Sequence, residues 1–400
     1  MDVHKTVDAE RMAMLAACAS VLQICESLIP HPVPGIRLGL ANIITLIALS
    51  RLGFKAAMEI ALFRTLISAL ILGTFLSPGF LLSFSGAIGS TLVMAGIFHL
   101  SNVLRKPVFS LVGISLFGSL THNLVQFGLV YLLFIQHSGL FWVLPWLGIS
   151  AVIMGWITGL VAIKVSLQLE SAAQSNPEEF RWMISGPRAG QEQDIPVSPV
   201  SRMRPELKIL ILFSIAILFI MISDLRFYLF FSLLCGAVII LARVSWKRWL
   251  HKVKKLSPVF LFAFLLPALF TQQGETILQL GWIKLTRSGL NQGFLFTFRL
   301  ILLLTATSLL TWTTSRDRMI QGMAWLLKPL RLIGLNVHSA TILAIAMSRT
   351  PVLFETTQTW IRNQIKTERR IHRIIPALTY FISSLYITIE KSNETGGNES

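Results

Sequence analysis

One stretch concentrates the residue types that bind a polar solute: Glu26-Ser-Leu-Ile-Pro30-His-Pro32-Val-Pro34-Gly-Ile-Arg37-Leu-Gly39-Leu-Ala-Asn42. Three prolines within five residues stop any helix, so the chain must turn there. Glu26 falls about one turn inside the apolar end of the preceding run. An ionisable group at that depth is costly in lipid and by default faces a polar cavity or a partner. The competing reading is a carboxylate that reaches outer headgroups or pairs with Arg37. Farther along, Asn123 and Gln126 share nearly one face of an apolar run, beside His122. They serve interhelical hydrogen bonding as readily as ligand binding. Gly73-Thr-Phe-Leu-Ser77-Pro78-Gly79 and Ser85-Gly86-Ala-Ile-Gly89-Ser90 carry small residues at a spacing that lets helices pack closely, with Ser77 and Ser85 as ligand candidates. Ala13 and Ala17, four apart with Ala16 beside them, form a small-residue stripe that lets another helix approach. The candidate solute-binding set is therefore Glu26, Arg37, Asn42, Ser77, Asn123 and Gln126.

The elements that must position these residues are membrane helices. The chain is 54% hydrophobic and 14% charged, where soluble domains carry about 25% charged residues. Six spans are predicted in the first half, near 12–29, 38–50, 56–76, 80–101, 108–135 and 141–163. With the N-terminus inside, inner loops hold Arg51, Lys55, Arg105, Lys106 and Lys164. The outer loops at 31–37, 77–79 and 136–139 share one Lys/Arg between them, as the positive-inside rule requires. Residues 168–205 read as a flexible cytoplasmic linker with five prolines, with a short amphipathic helix allowed at 177–184. Further spans follow near 207–223, 226–242, 257–272 and 293–313, with a loop outside at 273–292. The tail beyond Trp312 is expected inside as amphipathic helices. Its 340–353 stretch is interrupted by Arg349 and Pro351, a charged helix follows, and 374–389 is short for a span. The fold class expected is all-α membrane protein with about ten spans in two modules.

The net charge of +16 is divided unevenly. Residues 1–170 hold nine Lys/Arg against six Asp/Glu, residues 171–205 four against four, and residues 206–400 twenty-two against nine. Arg243, Lys247, Arg248, Lys252, Lys254 and Lys255 fall in one expected cytoplasmic loop. The surplus is thus a cytoplasmic face suited to anionic lipid headgroups and protein partners, and nucleic acid is not needed to explain it. Cys18, Cys25 and Cys235 lie in apolar runs without metal-ligand spacing, which favours buried inert thiols.

At this point both halves are recognisable. Residues 10–165 resemble the Gx transporter family, often labelled heptaprenyl diphosphate synthase component I, through the 26–42 string with Thr74–Gly79 and Gly86–Ser90. That family is similar to the substrate-binding (S) components of energy-coupling factor transporters. The resemblance implies a six-helix domain binding a small molecule near its outer face, with Ala13 and Ala17 matching the stripe by which S components dock. Residues 203–390 resemble the transmembrane coupling (T) component of the same transporters. Arg204-Pro205-Glu-Leu-Lys208, Arg299, Leu310-Thr-Trp-Thr313-Thr314-Ser315, Leu326-Leu-Lys328-Pro329-Leu330, Gly334-Leu335 and Arg349-Thr-Pro351-Val-Leu-Phe-Glu355 match in order. The two Ala-Arg-Gly-like tripeptides by which T components dock on two ATPase subunits are absent. Gln364-Ile-Lys366-Thr-Glu stands at the first place and Glu390-Lys-Ser-Asn-Glu at the second. Arg362, Lys366 and Arg369, with Arg349, Pro351 and Glu355, are then the candidate coupling residues.

The resemblance divides the chain into 1–167, an S-like domain; 168–205, a linker; 206–315, the T-like membrane part; and 316–400, coupling helices and C-terminal segment. It implies a multi-pass cell-membrane protein, both termini cytoplasmic, that takes up a vitamin-like organic solute. No Gly-x-x-x-x-Gly-Lys-[Ser/Thr] phosphate loop occurs, so ATP and Mg²⁺ would be handled by two separate ABC-type ATPase subunits. Prenyl diphosphate synthesis is disfavoured, because Asp2, Asp8, Asp194, Asp224 and Asp317 form no cluster to hold Mg²⁺ on a diphosphate. A non-catalytic partner of such a synthase and an ATP-independent receptor or scaffold are the alternatives. Only His4 precedes His31, unlike the His-rich start of cobalt or nickel binders. Phe80, Phe84, Phe141 and Trp142 are placed to sandwich a ring or to face lipid.

Overall fold

The computed structural model describes residues 3–28, 39–104, 109–133, 138–172, 198–222, 224–271, 274–280, 283–327, 339–367 and 379. Six helices build the first half: α1 (Val3–Leu28), α2 (Leu40–Leu52), α3 (Phe54–Leu72), α4 (Pro78–Val103), α5 (Leu111–Leu133) and α6 (Leu144–Ala172), the last preceded by a 3₁₀ turn at Ser138–Val143. All six coincide with predicted spans. The main difference lies at α1, which begins some nine residues earlier than the apolar run, because polar residues continue a helix that apolar ones began. Glycine sets the closest contact: a Cβ on Gly159 would stand 2.6 Å from the Val112 Cα, and one on Gly155 2.9 Å from the Leu116 Cα. Small residues thus let α5 and α6 meet backbone to backbone.

A helical turn, α7 (Pro199–Arg202), leads into the second half. It is closed by a capping box in which the Ser198 and Ser201 side chains each bond the other's backbone N–H. Then follow α8 (Pro205–Met221), α9 (Leu225–Leu241), α10 (Trp246–Lys255), α11 (Ser257–Phe270), strands β1 (Thr276–Leu280) and β2 (Ile283–Thr286), α12 (Arg287–Thr313), α13 (Arg316–Leu327) and α14 (Ser339–Thr367). Two expectations are corrected. The outer loop at 273–292 contains an antiparallel hairpin, pairing Leu278 with Leu285 and Leu280 with Ile283, so the all-α description has one β exception. The interruption expected at Arg349 and Pro351 is absent, and α14 runs straight through Pro351. Proline removes one donor and restricts its predecessor, but neighbouring packing keeps the helix continuous.

Among the described residues, Gly79–Val103, Leu140–Gln168 and Arg287–Thr313 are long and apolar enough to cross a membrane, and Leu40–Leu52 and Leu225–Leu241 are shorter apolar helices. α3 carries Lys55, Glu59 and Arg64, which lowers its apolarity below that of a lipid-facing span. The linker from 173 to 197, including the amphipathic segment considered at 177–184, and the 374–389 stretch apart from Thr379 lie outside the described residues.

The halves share one hydrophobic core. α1 packs against α14 more extensively than against any helix of its own half. Ala13, Ala16 and Ala17 join a buried cluster with Ile342, Leu343, Ala346 and Met347. A second junction lies at the turn after α3, where the Lys252 ammonium and the Thr307 hydroxyl both donate to the Gly73 carbonyl oxygen, at 3.0 and 3.4 Å. This corrects the loop assignment. The 73–79 turn was expected outside and Lys252 inside, yet a hydrogen bond cannot bridge a hydrocarbon core of about 30 Å. The 77–79 turn has no charged residue, so only strict alternation of upright helices placed it outside. The Lys252–Gly73 contact therefore puts both groups on one side, and the two expected locations cannot both hold.

Candidate functional site

All six helices of the first half contribute to one cavity. Its walls are Gln23 and Glu26 from α1, Gly39 before α2, Asn42 from α2, Arg64 and Thr65 from α3, and Ser83 from α4. Ser119, His122 and Asn123 of α5 and Ser150, Ala151 and Met154 of α6 complete it. Ten of these thirteen residues carry polar side chains, where the module's buried core is mostly apolar. In this conformation the space is about 30 Å³, room for roughly two waters.

Local geometry explains how charged groups are held there. Glu26 and Arg64 are only 3% and 4% exposed. The Glu26 Oε1 accepts the Gly39 N–H at 2.8 Å. Gly39 has φ of +73°, a left-handed conformation that glycine adopts without Cβ strain, and this turns its amide toward the carboxylate. The Arg64 fork donates Nη2 to the Asn42 Oδ1 at 2.6 Å and Nη1 to the Gln23 Oε1 at 3.3 Å. These bonds tie α3 to α2 and α1 around the cavity.

On the opposite wall the Gln126 amide lies 3.0 Å from the His122 Nε2 and donates to the Leu82 carbonyl at 3.3 Å. The amide nitrogen has two hydrogens for these two bonds, which pairs it with the His122 tautomer whose Nε2 accepts. Asn123 Nδ2 donates to the Leu147 carbonyl at 2.9 Å and lies 3.3 Å from the Ser150 hydroxyl, joining α5 to α6. Gly86 makes room for the imidazole, since a Cβ there would lie 2.8 Å from the His122 Cε1.

Of the solute-binding candidates, Glu26, Asn42 and Asn123 line the cavity. Gln126 stands behind His122. Ser77 is elsewhere: it caps α4, its hydroxyl accepting the Phe80 N–H at 3.2 Å, because Ser before Pro at a helix start is a capping signal. Arg37 lies outside the described residues. The aromatic sandwich is corrected. Phe80 packs on Phe75 and Phe84, Phe141 on Phe127 and Tyr131, and Trp142 is 80% exposed. None of these rings lines the cavity. Sequence reasoning missed Arg64 and Gln23. The signal for Arg64 was available, as an ionisable residue inside an apolar run.

The second candidate surface is α14. Arg349 and Pro351 are half-buried on it and Glu355 is exposed. Arg362 and Lys366 lie on its last turns, where the backbone alone is described, and Arg369 lies outside the described residues. Ala13 and Ala17 are fully buried on α1. Within the second half, Lys208 Nζ donates to the Thr313 carbonyl at 2.8 Å and to the Thr314 hydroxyl at 3.1 Å. A cation thereby meets the carbonyl end of α12, where the helix dipole favours it.

Two family models match the chain. One described as heptaprenyl diphosphate synthase component I covers residues 15–165, and one described as cobalt transport protein covers residues 196–364. Similar curated proteins share one description, energy-coupling factor transporter transmembrane protein EcfT. That of Listeria innocua serovar 6a is 32% identical over 190 residues, covering 42% of this chain and 72% of its own length. That of Thermosediminibacter oceani is 35% identical over 169 residues, and the chain spans 63% of its length. That of Bacillus subtilis is 29% identical over 204 residues, 48% of this chain and 77% of its own. A heptaprenyl diphosphate synthase component I-like half is thus fused to a transporter half, and through residues 196–364 the chain belongs to the energy-coupling factor transporter transmembrane protein family.

Proposed function

We propose that the chain joins solute binding and energy coupling for import of a small organic micronutrient, with ATP hydrolysed by two separate ABC-type subunits. The observation that carries this reading is the polar cavity closed by all six helices of the first half, in a polypeptide whose second half is EcfT-like. Polar and charged side chains are costly within a membrane domain and persist where they serve a ligand. The division of labour follows the proposed domains, with 1–167 binding the solute and 206–315 and 316–400 coupling it. Ala13 and Ala17 let α1 lie on α14, so movement of α14 by an ATPase would be felt directly by the helix that bears Gln23 and Glu26. The family description of a cobalt transport protein is not carried over as a substrate, because the described walls of the cavity offer one imidazole and no thiol.

The reading is tested by recovering the tagged chain from native membranes. A co-purifying pair of ABC-type ATPases together with a retained organic solute is the expected result. Recovery of solute without any ATPase would instead favour an ATP-independent receptor, the reading to which the missing Ala-Arg-Gly-like tripeptides point. Recovery of a prenyl diphosphate synthase subunit in place of both would mark a non-catalytic partner of that enzyme.

A further inference from the structure

The cavity's charge balance restricts its ligand. Arg64 and Glu26 are the two formally charged residues among its described walls, and both are more than nine-tenths buried. With the His122 Nε2 accepting the Gln126 amide, the described walls sum to zero formal charge. A net anion or net cation entering so enclosed a space would bring an unbalanced charge out of water, a penalty that grows as the dielectric falls. A dipolar ligand of zero net charge brings none.

Geometry favours the same class. The terminal nitrogens of Arg64 reach the amide oxygens of Asn42 and Gln23 on the cavity wall, and the planar guanidinium fork matches a ligand carboxylate bidentately. The Glu26 carboxylate is anchored at one oxygen by Gly39 and leaves its acceptor capacity for a ligand ammonium or N–H. No Phe, Tyr or Trp is among the described wall residues, so these walls offer no aromatic face on which a flat ring system would stack. We infer that the solute is a small zwitterion of the amino-acid or betaine type, its carboxylate on Arg64 and its cationic group toward Glu26. This rests on reading the cavity as the solute site and specifies its substrate class.

The test uses the full chain in lipid nanodiscs, with binding of β-alanine, propionate and propylamine measured by calorimetry, and with retained solute identified by mass spectrometry. β-Alanine is expected to bind at least tenfold more tightly than either singly charged probe. Glu26→Gln leaves the walls with one positive charge and should turn the preference to propionate. Arg64→Gln leaves one negative charge and should turn it to propylamine. A misfolded variant binds nothing, so these reversals separate recognition from folding. Propionate or propylamine matching β-alanine in the wild type would overturn the zwitterion class, as would a folded variant whose preference does not move. A retained solute of net charge would overturn the class and leave the uptake reading standing. No retained solute and no probe bound would remove both.

Discussion

The Lys252 ammonium, on a helix of the second half, donates to the Gly73 carbonyl at the end of α3 across 3.0 Å. It also lies 5.5 Å from the centroid of the Trp312 ring. Gly73 has φ of +63°, and a Cβ there would fall 2.7 Å from the Lys252 Nζ and 2.9 Å from the Thr311 Oγ1. Gly73→Ala therefore combines left-handed strain of about 1–2 kcal/mol with displacement of the lysine. Lys252→Met removes the donor and keeps the aliphatic stem. Both variants should loosen the junction while leaving the cavity intact. A disulfide engineered across the turn, or protease susceptibility of the 73–79 segment, reports the loosening; unchanged protection in both variants would show that the contact contributes nothing.

The same lysine gives a pH dependence. Burial pushes the Lys252 ammonium down from 10.5 to about 8, because desolvation penalises the charged form. Between pH 8 and 10.5 the unfolded chain holds a proton at this site that the folded chain has released. Stability therefore rises with pH across that window as far as this group is concerned, and below pH 8 the full desolvation penalty is present. In thermal unfolding from pH 7 to 10, the stability of the wild type relative to Lys252→Met should rise as pH passes 8. Parallel curves would remove Lys252 as the titrating group.

Ala17 sits on α1 with no exposed surface and belongs to the core shared with α14. Ala17→Leu inserts three methyl or methylene groups into that contact, overpacking that typically costs about 1–3 kcal/mol. Because Gln23 and Glu26 lie about two turns farther along α1, solute retention should survive while ATP-driven uptake by reconstituted proteoliposomes falls severalfold or more. Loss of retention together with uptake would mean that α1 is distorted as a whole.

The sequence made the helices legible because a membrane imposes its own arithmetic: about twenty apolar residues, interrupted by Pro, Gly or charge. Glu26, Asn42 and Asn123 were legible for the same reason, as polar residues in or beside apolar runs. Arg64 obeyed that rule too, yet α3 holds three ionisable residues, and only tertiary structure reveals that Arg64 is the one turned to Asn42 and Gln23. Ser77 misled because a serine that caps a helix and one that binds a ligand occupy similar sequence positions. Counting loops by alternation put the 73–79 turn and Lys252 on opposite sides, and only the tertiary contact between them shows that both placements cannot hold. The junction of α1 with α14 is a contact between residues more than three hundred apart, which no local pattern encodes beyond the small-residue stripe at Ala13 and Ala17.

Arg299 lies midway along α12 and makes the second half's main polar contact at depth. Its Nε donates to the Tyr228 hydroxyl at 2.9 Å and its Nη2 to the Ile222 carbonyl at 3.3 Å. Tyr228 is fully buried, and its single O–H proton is shared between the carbonyls of Ile222 and Phe219. Those carbonyls belong to the end of α8, where helix geometry leaves the last four without partners. Tyr228→Phe should cost about 1–3 kcal/mol by leaving buried groups unsatisfied. Arg299→Lys keeps the charge but loses the planar fork, so it cannot hold both partners at once. If the two residues act as one network, the double variant should be less destabilised than the sum of the singles, by about 0.5–3 kcal/mol of coupling. Additive losses in denaturant unfolding of the reconstituted protein would instead assign the end of α8 to Tyr228 alone and leave Arg299 for another task, such as transmitting movement through α12.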